Sequence, residues 1–212
     1  MERSRVACII PAYNEEASIK QVVTSVSSLC VPIVVDDGSI DSTYDISVAS
    51  NAIVVRHKKN KGYEQALESG FQEALNKKFD YVVTIDGDGQ HDTSVISRFI
   101  DALDDGADVV IGIRDKKQRI AEHIFALLSS LRWGIQDPLC GMKAYKIDVY
   151  KELGYFDSFS SVGTELAFFA AKKEKKITQL NLKTYDREGR SRFGTVISAN
   201  YKIMRIIFKS LV

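Results

Sequence analysis

The sequence predicts an α/β domain, a mostly parallel sheet covered by helices on both faces. Three observations predict it. Short β-branched runs alternate with segments whose apolar residues fall at helical spacing through the first half of the chain. The 212 residues, 45% of them hydrophobic, suit one sizeable core. Three of the runs end in clusters of Asp, Asn, Glu and Gly, and in open α/β sheets ligands bind beyond the carboxyl ends of the strands.

The elements follow in order. Residues 6–10 read as a strand, after which Ile19, Val22, Val23, Val26 and Leu29 share one helical face. Residues 31–35 make a second strand that ends in Asp36-Asp37-Gly38-Ser39, followed by a short helix over 42–49 and a strand over 52–55. Residues 62–75 are helical with Ala66, Leu67, Gly70, Phe71 and Ala74 inward. Residues 81–85 form a strand buried on both faces, running into Asp86-Gly87-Asp88-Gly89-Gln90. A helix marked by Val95, Ile96, Phe99, Ile100 and Leu103 leads to a strand over 108–113. The second half is less regular: a helix over 121–133, a loop at 137–141, Tyr145, helices over 147–153 and 165–173, and a strand over 177–182. No repeat or linker divides the chain, so residues 1–195 read as one domain. Residues 196–212 read as an amphipathic basic helix, with Ile197, Tyr201, Met204, Phe208 and Leu211 on one face and Ser198, Lys202, Arg205 and Lys209 on another.

Composition excludes several classes. A formal charge of +1 argues against a nucleic-acid partner. Three scattered cysteines (Cys8, Cys30, Cys140) form neither a disulfide framework nor a zinc site and suit a reducing cytoplasm. No apolar run reaches the ~20 residues that span a bilayer. The expected location is cytoplasmic, with peripheral attachment to the inner face of a membrane as an option. The neutrality is a cancellation: residues 80–108 hold eight acidic residues and one basic, and residues 172–212 hold eleven basic and three acidic. That split suggests an acidic metal edge and a basic tail facing phosphate or membrane, with Lys172, Lys173, Lys175 and Lys176 as contributors or a plain solvated face.

Asp86-Gly87-Asp88 places two carboxylates two residues apart in an extended segment, pointing the same way. One divalent cation can reach both, and hard oxygen ligands, Gln90 included, suit Mg²⁺ or Mn²⁺. An EF-hand needs Glu at the twelfth loop position, where Ser97 stands. A phosphatase of haloacid-dehalogenase type carries its paired aspartates on the first strand, followed by Thr, and here they lie mid-chain. Asp36 and Asp37 include an acceptor for a base imide or a ribose hydroxyl, while Ser39 or Asp41 serves the ordinary purpose of capping the next helix. His91 adjoins the metal motif; His57 and His123 have no ligand spacing and read as structural.

Taken together, these residues resemble the inverting glycosyltransferases of family 2, of GT-A fold, in the branch that makes polyprenyl-phosphate sugars. The resemblance runs through Ile9-Ile10-Pro11-Ala12-Tyr13-Asn14-Glu15-Glu16, Val34–Thr43, Asn60-Lys61-Gly62, Asp86–Asp92, Gly112-Ile113-Arg114, Asp137-Pro138-Leu139-Cys140-Gly141 and Gly163-Thr164-Glu165-Leu166, ending at 187–194. It implies a Rossmann-like sheet with a nucleotide-sugar half (1–115) and an acceptor half (116–195). It implies that Pro11, Tyr13, Glu15 and Asp37 line the nucleoside pocket, and that Asp86 and Asp88 serve ribose, diphosphate and metal. Gln90 would be an extra metal ligand, and Arg114, Arg132, Arg190, Ser191 and Arg192 would hold phosphates. Relatives commonly have Ser-Lys where this chain has Ser191-Arg192, and Ser-Gly-Phe-Arg where it has Cys140-Gly141-Met142-Lys143.

The implied reaction moves a hexose from a UDP- or GDP-sugar to a polyprenyl phosphate by one displacement, which requires an in-line nucleophile. A hydroxyl acceptor, as in surface-polysaccharide assembly, would need a carboxylate base, and Asp137 and Glu165 are the candidates. An Asx-turn before Pro138 and a first-turn helix position are their plain structural alternatives. A phosphate acceptor is already anionic and needs no strong base. A lipid acceptor would call for a membrane surface or a membrane-protein partner. A non-catalytic nucleotide-sugar-binding protein is the alternative from another class.

Overall fold

The computed structural model describes residues 5–89, 92–115, 119–158, 161, 163–183 and 203–206. Along them run β1 (Val6–Ala12), α1 (Ile19–Ser27), β2 (Val31–Asp36), α2 (Thr43–Ala49), β3 (Ile53–Arg56), α3 (Tyr63–Asn76) and β4 (Tyr81–Thr84). Next come α4 (Ile96–Asp104), β5 (Val109–Arg114), α5 (Ile120–Trp133), β6 (Lys143–Lys146), α6 (Ile147–Leu153), α7 (Glu165–Lys172) and β7 (Ile177–Leu182).

Period-2 alternation decides the layers. In β1, Ala7 and Ile9 face one side and Val6, Cys8 and Ile10 the other, all fully buried. The first side packs on α3, α5 and α7 through Phe71, Tyr145, Phe156, Phe125 and Phe168, where Phe71 stacks on Tyr150 and Phe156 at 4.9 and 5.0 Å. The second side packs on α1 and α4 through Val23, Val26, Phe99 and Leu103. Each such side chain contributes roughly 1.5–3 kcal/mol by leaving water.

The strands form one sheet in the order β3-β2-β1-β4-β6-β5-β7. Every neighbouring pair is parallel except those made by β6, which runs antiparallel to β4 and β5. The chain winds outward from β1 to β3 and returns to β4 beside β1. Between those two strands lies the topological switch point, where the following loops diverge.

The sequence reading leaves β6 as a loop followed by Tyr145. Its four residues, Lys-Ala-Tyr-Lys, are too short and too charged to read as a core strand, yet Lys143, Ala144 and Tyr145 are all buried. The strand is defined by its neighbours: Thr84 pairs with Lys143, and Val110 with Ala144.

Two expectations about charge are corrected. Asp80 and Asp108 precede β4 and β5 and so lie at the opposite, amino edge of the sheet. There Asp80 pairs with Arg5, and Asp108 with Lys146 at 2.9 Å. The acidic stretch is therefore split between both edges. Of the lysine run, Lys175 and Lys176 are tied down at the amino edge, Lys175 on Glu152 at 2.6 Å and Lys176 donating to the Asp105 carbonyl at 2.8 Å, while Lys172 and Lys173 are exposed. Of the C-terminal segment, residues 203–206 are helical, with Ile203 and Ile206 buried in the core and Met204 half exposed. The buried line is thus Ile203/Ile206, one step around the helix from the Met204 face read as apolar.

Candidate active site

The carboxyl edge is assembled from backbone outward. Beyond β1, the Asn14 amide donates to Ser39 Oγ at 2.9 Å, the Glu15 amide donates to Thr43 Oγ1 at 2.7 Å, and Asn14 Oδ1 accepts from the Ile40 amide at 2.9 Å. These bonds stitch the Tyr13–Glu16 loop to the loop after β2. Asp36, fully buried, accepts from the Ser39 amide at 3.0 Å and pairs with Arg56 at 3.1 Å. Gly38 has φ +76°, and a Cβ there would lie 2.6 Å from the Lys59 carbonyl carbon, so only glycine lets the two loops meet.

Asp37 is more constrained than its motif suggests. Its Oδ1 accepts from His57 Nδ1 at 2.6 Å and from the Lys61 amide at 2.9 Å, and its Oδ2 accepts from the Gly62 amide at 2.8 Å. His57 Nε2 lies 2.9 Å from Ser69 Oγ on α3. With both oxygens engaged, Asp37 fixes the Asn60–Gly62 turn on the floor of the edge.

Asp86 and Asp88 emerge from β4 at the switch point, both partly exposed. Tyr63 Oη donates to Asp86 Oδ1 at 3.0 Å, and burial together with the Asp86 charge pushes the Tyr63 phenol well above its ordinary pKa, keeping it a donor. On the other side, a Cβ at Gly141 would overlap Asp86 Oδ2 and come within 2.9 Å of Cγ. Thr84 Oγ1 donates to the Gly141 carbonyl at 2.7 Å and so holds that close approach. Among the described residues no three His, Cys, Asp or Glu side chains gather into a preformed cation cage. The donor set still fits Mg²⁺ or Mn²⁺: two hard carboxylates at a strand end, one cradled against a glycine, suit an ion that completes its shell with water and substrate phosphate.

Across β6 lies a second cluster. Arg114 Nε and Nη2 donate to Asp137 Oδ2 and Oδ1, each at 2.9 Å, and the Arg114 amide donates to Oδ2 at 3.1 Å. Glu122, on the first turn of α5, joins Arg114 at 3.3 Å and Arg119 at 2.9 Å. Burial works against the Arg114 charge, but Asp137 raises its pKa further above the ordinary value, so it stays cationic. Buried Lys143 stands among Asp86, Asp137 and Cys140; burial lowers its pKa, and those neighbours oppose the fall. Burial, with Asp137 adding to it, pushes the Cys140 thiol up to about 12, which removes it as a nucleophile.

Glu165 opens α7 and accepts from the Ser158 amide at 2.6 Å, Ser158 Oγ at 2.9 Å and Tyr155 Oη at 3.1 Å. Tyr155, Asp157 and Ser158 face Lys61, Glu64 and Glu68 across a polar cavity of about 390 Å³. Arg132, at the far end of α5, is exposed and lies 5.3 Å over the Trp133 ring. Gln90, His91, Arg190, Ser191 and Arg192 lie outside the described residues.

The structure thus brings Pro11, Tyr13, Glu15, Asp37, Asp86 and Asp88 to one edge and sets Arg114 with Asp137 beside them. Arg132 is not part of that group. Sequence reasoning overlooked Tyr63, Thr84 and Glu122, named Lys143 only within the departure at residues 140–143, and read His57 as structural. Register held a signal for three of these: Asp36 pairs with Arg56, which brings Asp37 opposite His57, and Thr84 pairs with Lys143.

The mostly parallel seven-stranded sheet, with paired carboxylates at its switch point, is of GT-A glycosyltransferase type. The chain belongs to glycosyl transferase family 2, which its residues 7–154 match. It is 34% identical over 193 residues to an uncharacterized protein of Methanocaldococcus jannaschii, covering 81% of this chain and 84% of that one. It is 29% identical over 229 residues to the UDP-N-acetylglucosamine–dolichyl-phosphate N-acetylglucosaminyltransferase of Methanococcus voltae, covering 92% and 91%. In fold it is similar to glucosyl-3-phosphoglycerate synthase of Mycobacterium tuberculosis, solved with Mn²⁺, UDP and phosphoglyceric acid, with TM-score 0.78, 23% identity, and coverage of 99% of this chain and 78% of that one.

Proposed function

We propose that this family 2 glycosyltransferase moves a hexose from a UDP- or GDP-sugar to a polyprenyl phosphate, inverting the anomeric centre. Residues up to 115 carry the donor site, and residues from 116 to 195, together with Arg114 at the boundary, receive the acceptor. The observation that carries the acceptor class is the state of the two candidate bases. Both oxygens of Asp137 are held by Arg114, and Glu165 accepts from Ser158 and Tyr155. Transfer to a hydroxyl needs a carboxylate directed at the acceptor, and these two are turned to partners within the protein, whereas a phosphate monoester, with its second pKa near 6, is already a nucleophile at about pH 7.

In this reading Asp37, through the Lys61–Gly62 turn, together with Pro11, Tyr13 and Glu15, positions the nucleoside. Asp86 and Asp88 hold a divalent cation, which when bound neutralises the diphosphate leaving group. Tyr63 and Gly141 fix the direction of the Asp86 carboxylate. Asp137 keeps the Arg114 fork rigid so that the guanidinium, with Lys143 beneath, attracts the acceptor phosphate.

The test is an acceptor panel with labelled UDP- and GDP-sugars and Mn²⁺. Transfer to a short-chain polyprenyl phosphate and not to its dephosphorylated alcohol is expected. Transfer confined to a saccharide hydroxyl would overturn the acceptor, and donor binding without transfer to any acceptor would overturn catalysis.

A further inference from the structure

The reaction proposed above leaves the polar cavity of about 390 Å³ between α3 and the loop after α6 without a role. On the α3 side Lys61 and Gln65 lie four residues apart, as do Glu64 and Glu68, so all four share one flank of the amino-terminal half of the helix. Tyr155, Asp157 and Ser158 make the facing wall. Both walls are braced from behind. Glu68 accepts from Tyr150 Oη and from the Phe156 amide, each at 2.7 Å, which pins the loop to α3. Asp157 Oδ2 accepts from the Ser161 amide at 2.7 Å and the Gly163 amide at 3.2 Å, and the Ser158 amide is held by Glu165. Walls fixed in this way lose little freedom when a ligand enters.

We propose that this cavity is a saccharide subsite that takes one neutral pyranose ring. Every residue of its lining is polar, which excludes a lipid chain. Its volume is at the small end of ligand pockets, ~300–1,000 Å³, which leaves room for a sugar ring and not for a peptide or a long glycan. The Lys61 ammonium and the Gln65 amide have no partner among the described residues, so donors stand ready for hydroxyl oxygens. The hydroxyls of Tyr155 and Ser158 donate to Glu165 and keep lone pairs that accept from a sugar hydroxyl. The Tyr155 side chain, 39% exposed, adds an aromatic surface for the C–H face of a pyranose. Charge selects a neutral ring: the carboxylates of Glu64, Glu68 and Asp157 oppose a phosphate or a uronate, and Lys61 opposes an amine. Position allows two sources for the ring. The Lys61 amide is held by Asp37 and Tyr63 reaches Asp86, while Tyr155 and Ser158 hold Glu165, so the cavity lies between the turn beside the donor site and the head of α7. The ring belongs to the nucleotide-sugar donor, in which case the inference rests on the donor proposed above, or to a separate saccharide.

The experiment is calorimetric titration of the full chain in Mn²⁺ with UDP, UDP-glucose, GDP, GDP-mannose and the methyl glycosides of glucose and mannose. Wild type is compared with Gln65→Ala and Tyr155→Ala, both at exposed positions whose loss should leave the thermal midpoint unchanged. If the ring is the donor's, each variant should bind the nucleotide sugar about three- to tenfold more weakly and the bare nucleotide as wild type does. If the saccharide is separate, a methyl glycoside should bind wild type and be lost in the variants while donor affinity holds. Saccharide binding that is absent, or the same in wild type and both variants, would overturn the subsite. So would an equal loss for nucleotide and nucleotide sugar, or a preference for glucosamine or methyl glucuronide over the neutral glycosides. The acceptor plays no part in these titrations. Failure of transfer to polyprenyl phosphate would therefore leave a saccharide subsite standing, and a cavity indifferent to sugars would leave the acceptor reading standing.

Discussion

Gly141→Ala isolates the geometry that holds Asp86. The Gly141 backbone is outside the left-handed region, so alanine is conformationally acceptable there and space alone decides the outcome. The new methyl would overlap Asp86 Oδ2 and lie 2.9 Å from Cγ, so the carboxylate must retreat by at least ~0.5 Å to regain ordinary contact. Neither side yields easily. Thr84 holds the Gly141 carbonyl at 2.7 Å, and Tyr63 holds Asp86 Oδ1 at 3.0 Å. Overpacking of this kind costs about 1–3 kcal/mol, or a fall of roughly 2–10 °C in Tm for a chain of this size. A ligand displaced toward 1 Å can cost on the order of 10²-fold in turnover, so donor affinity in the presence of Mn²⁺ should fall at least about tenfold. Calorimetric titration with UDP- and GDP-sugars, with and without Mn²⁺, reads the second effect, and a thermal melt reads the first. A lowered Tm with intact metal-dependent donor affinity would refute the assignment of Asp86 to the donor site, and an unchanged Tm would refute the packing argument.

Asp137→Ala should destabilise the fold by about 3–5 kcal/mol in urea titration, because it leaves the largely buried Arg114 with only the longer 3.3 Å contact to Glu122. Intact stability with loss of transfer alone would mean that Asp137 is the base after all. His57→Leu removes the bonds to Asp37 and Ser69 and should cost about 1–3 kcal/mol, raising KM for the donor more than it lowers kcat, since Asp37 holds the Lys61–Gly62 turn. Equal loss in both parameters would contradict a positioning role. At acid pH, burial tends to raise Asp41 and Asp108, but hydrogen bonds from Thr43 and Glu16, and from Lys146 and Lys176, hold both below the ordinary carboxylate value. Their stabilising contribution is therefore complete above about pH 4 and is lost as pH falls through the lower folded values. Asp108→Asn should flatten the acid limb of a stability–pH profile, and an unaltered slope would contradict the shift.

The donor side of the fold was legible because its signals are local. β1, β2 and β4 are apolar runs that each end in Pro, Asp or Gly, and a parallel sheet brings such ends together without further information. The partners that hold those ends were not legible, since Tyr63 on Asp86 and Gly141 against the same carboxylate depend on packing between segments far apart in sequence. β6 escaped for a related reason. Its burial is set by β4 and β5 on either side, and a four-residue segment with a lysine at each end carries no apolar run of its own. Regional charge misled most, because strand direction places Asp80 and Asp108 at one edge and Asp86 and Asp88 at the other. Helix α5 shows the limit of periodicity: Ile120, Ile124, Leu127 and Leu131 satisfy helical spacing as well as Phe125 does, and only the structure separates the outward face from the buried one.

The most direct test of the central claim is the rate of hexose transfer to a short-chain polyprenyl phosphate as a function of Mn²⁺, for wild type and Asp88→Ala. Metal-saturable transfer in wild type and a loss of about 10²-fold or more in the variant, with the thermal midpoint retained, is the predicted result. Transfer that persists in a chelator, or an Asp88→Ala enzyme that matches wild type at every Mn²⁺ concentration, would contradict the assignment of the β4 carboxyl end as the metal and donor site.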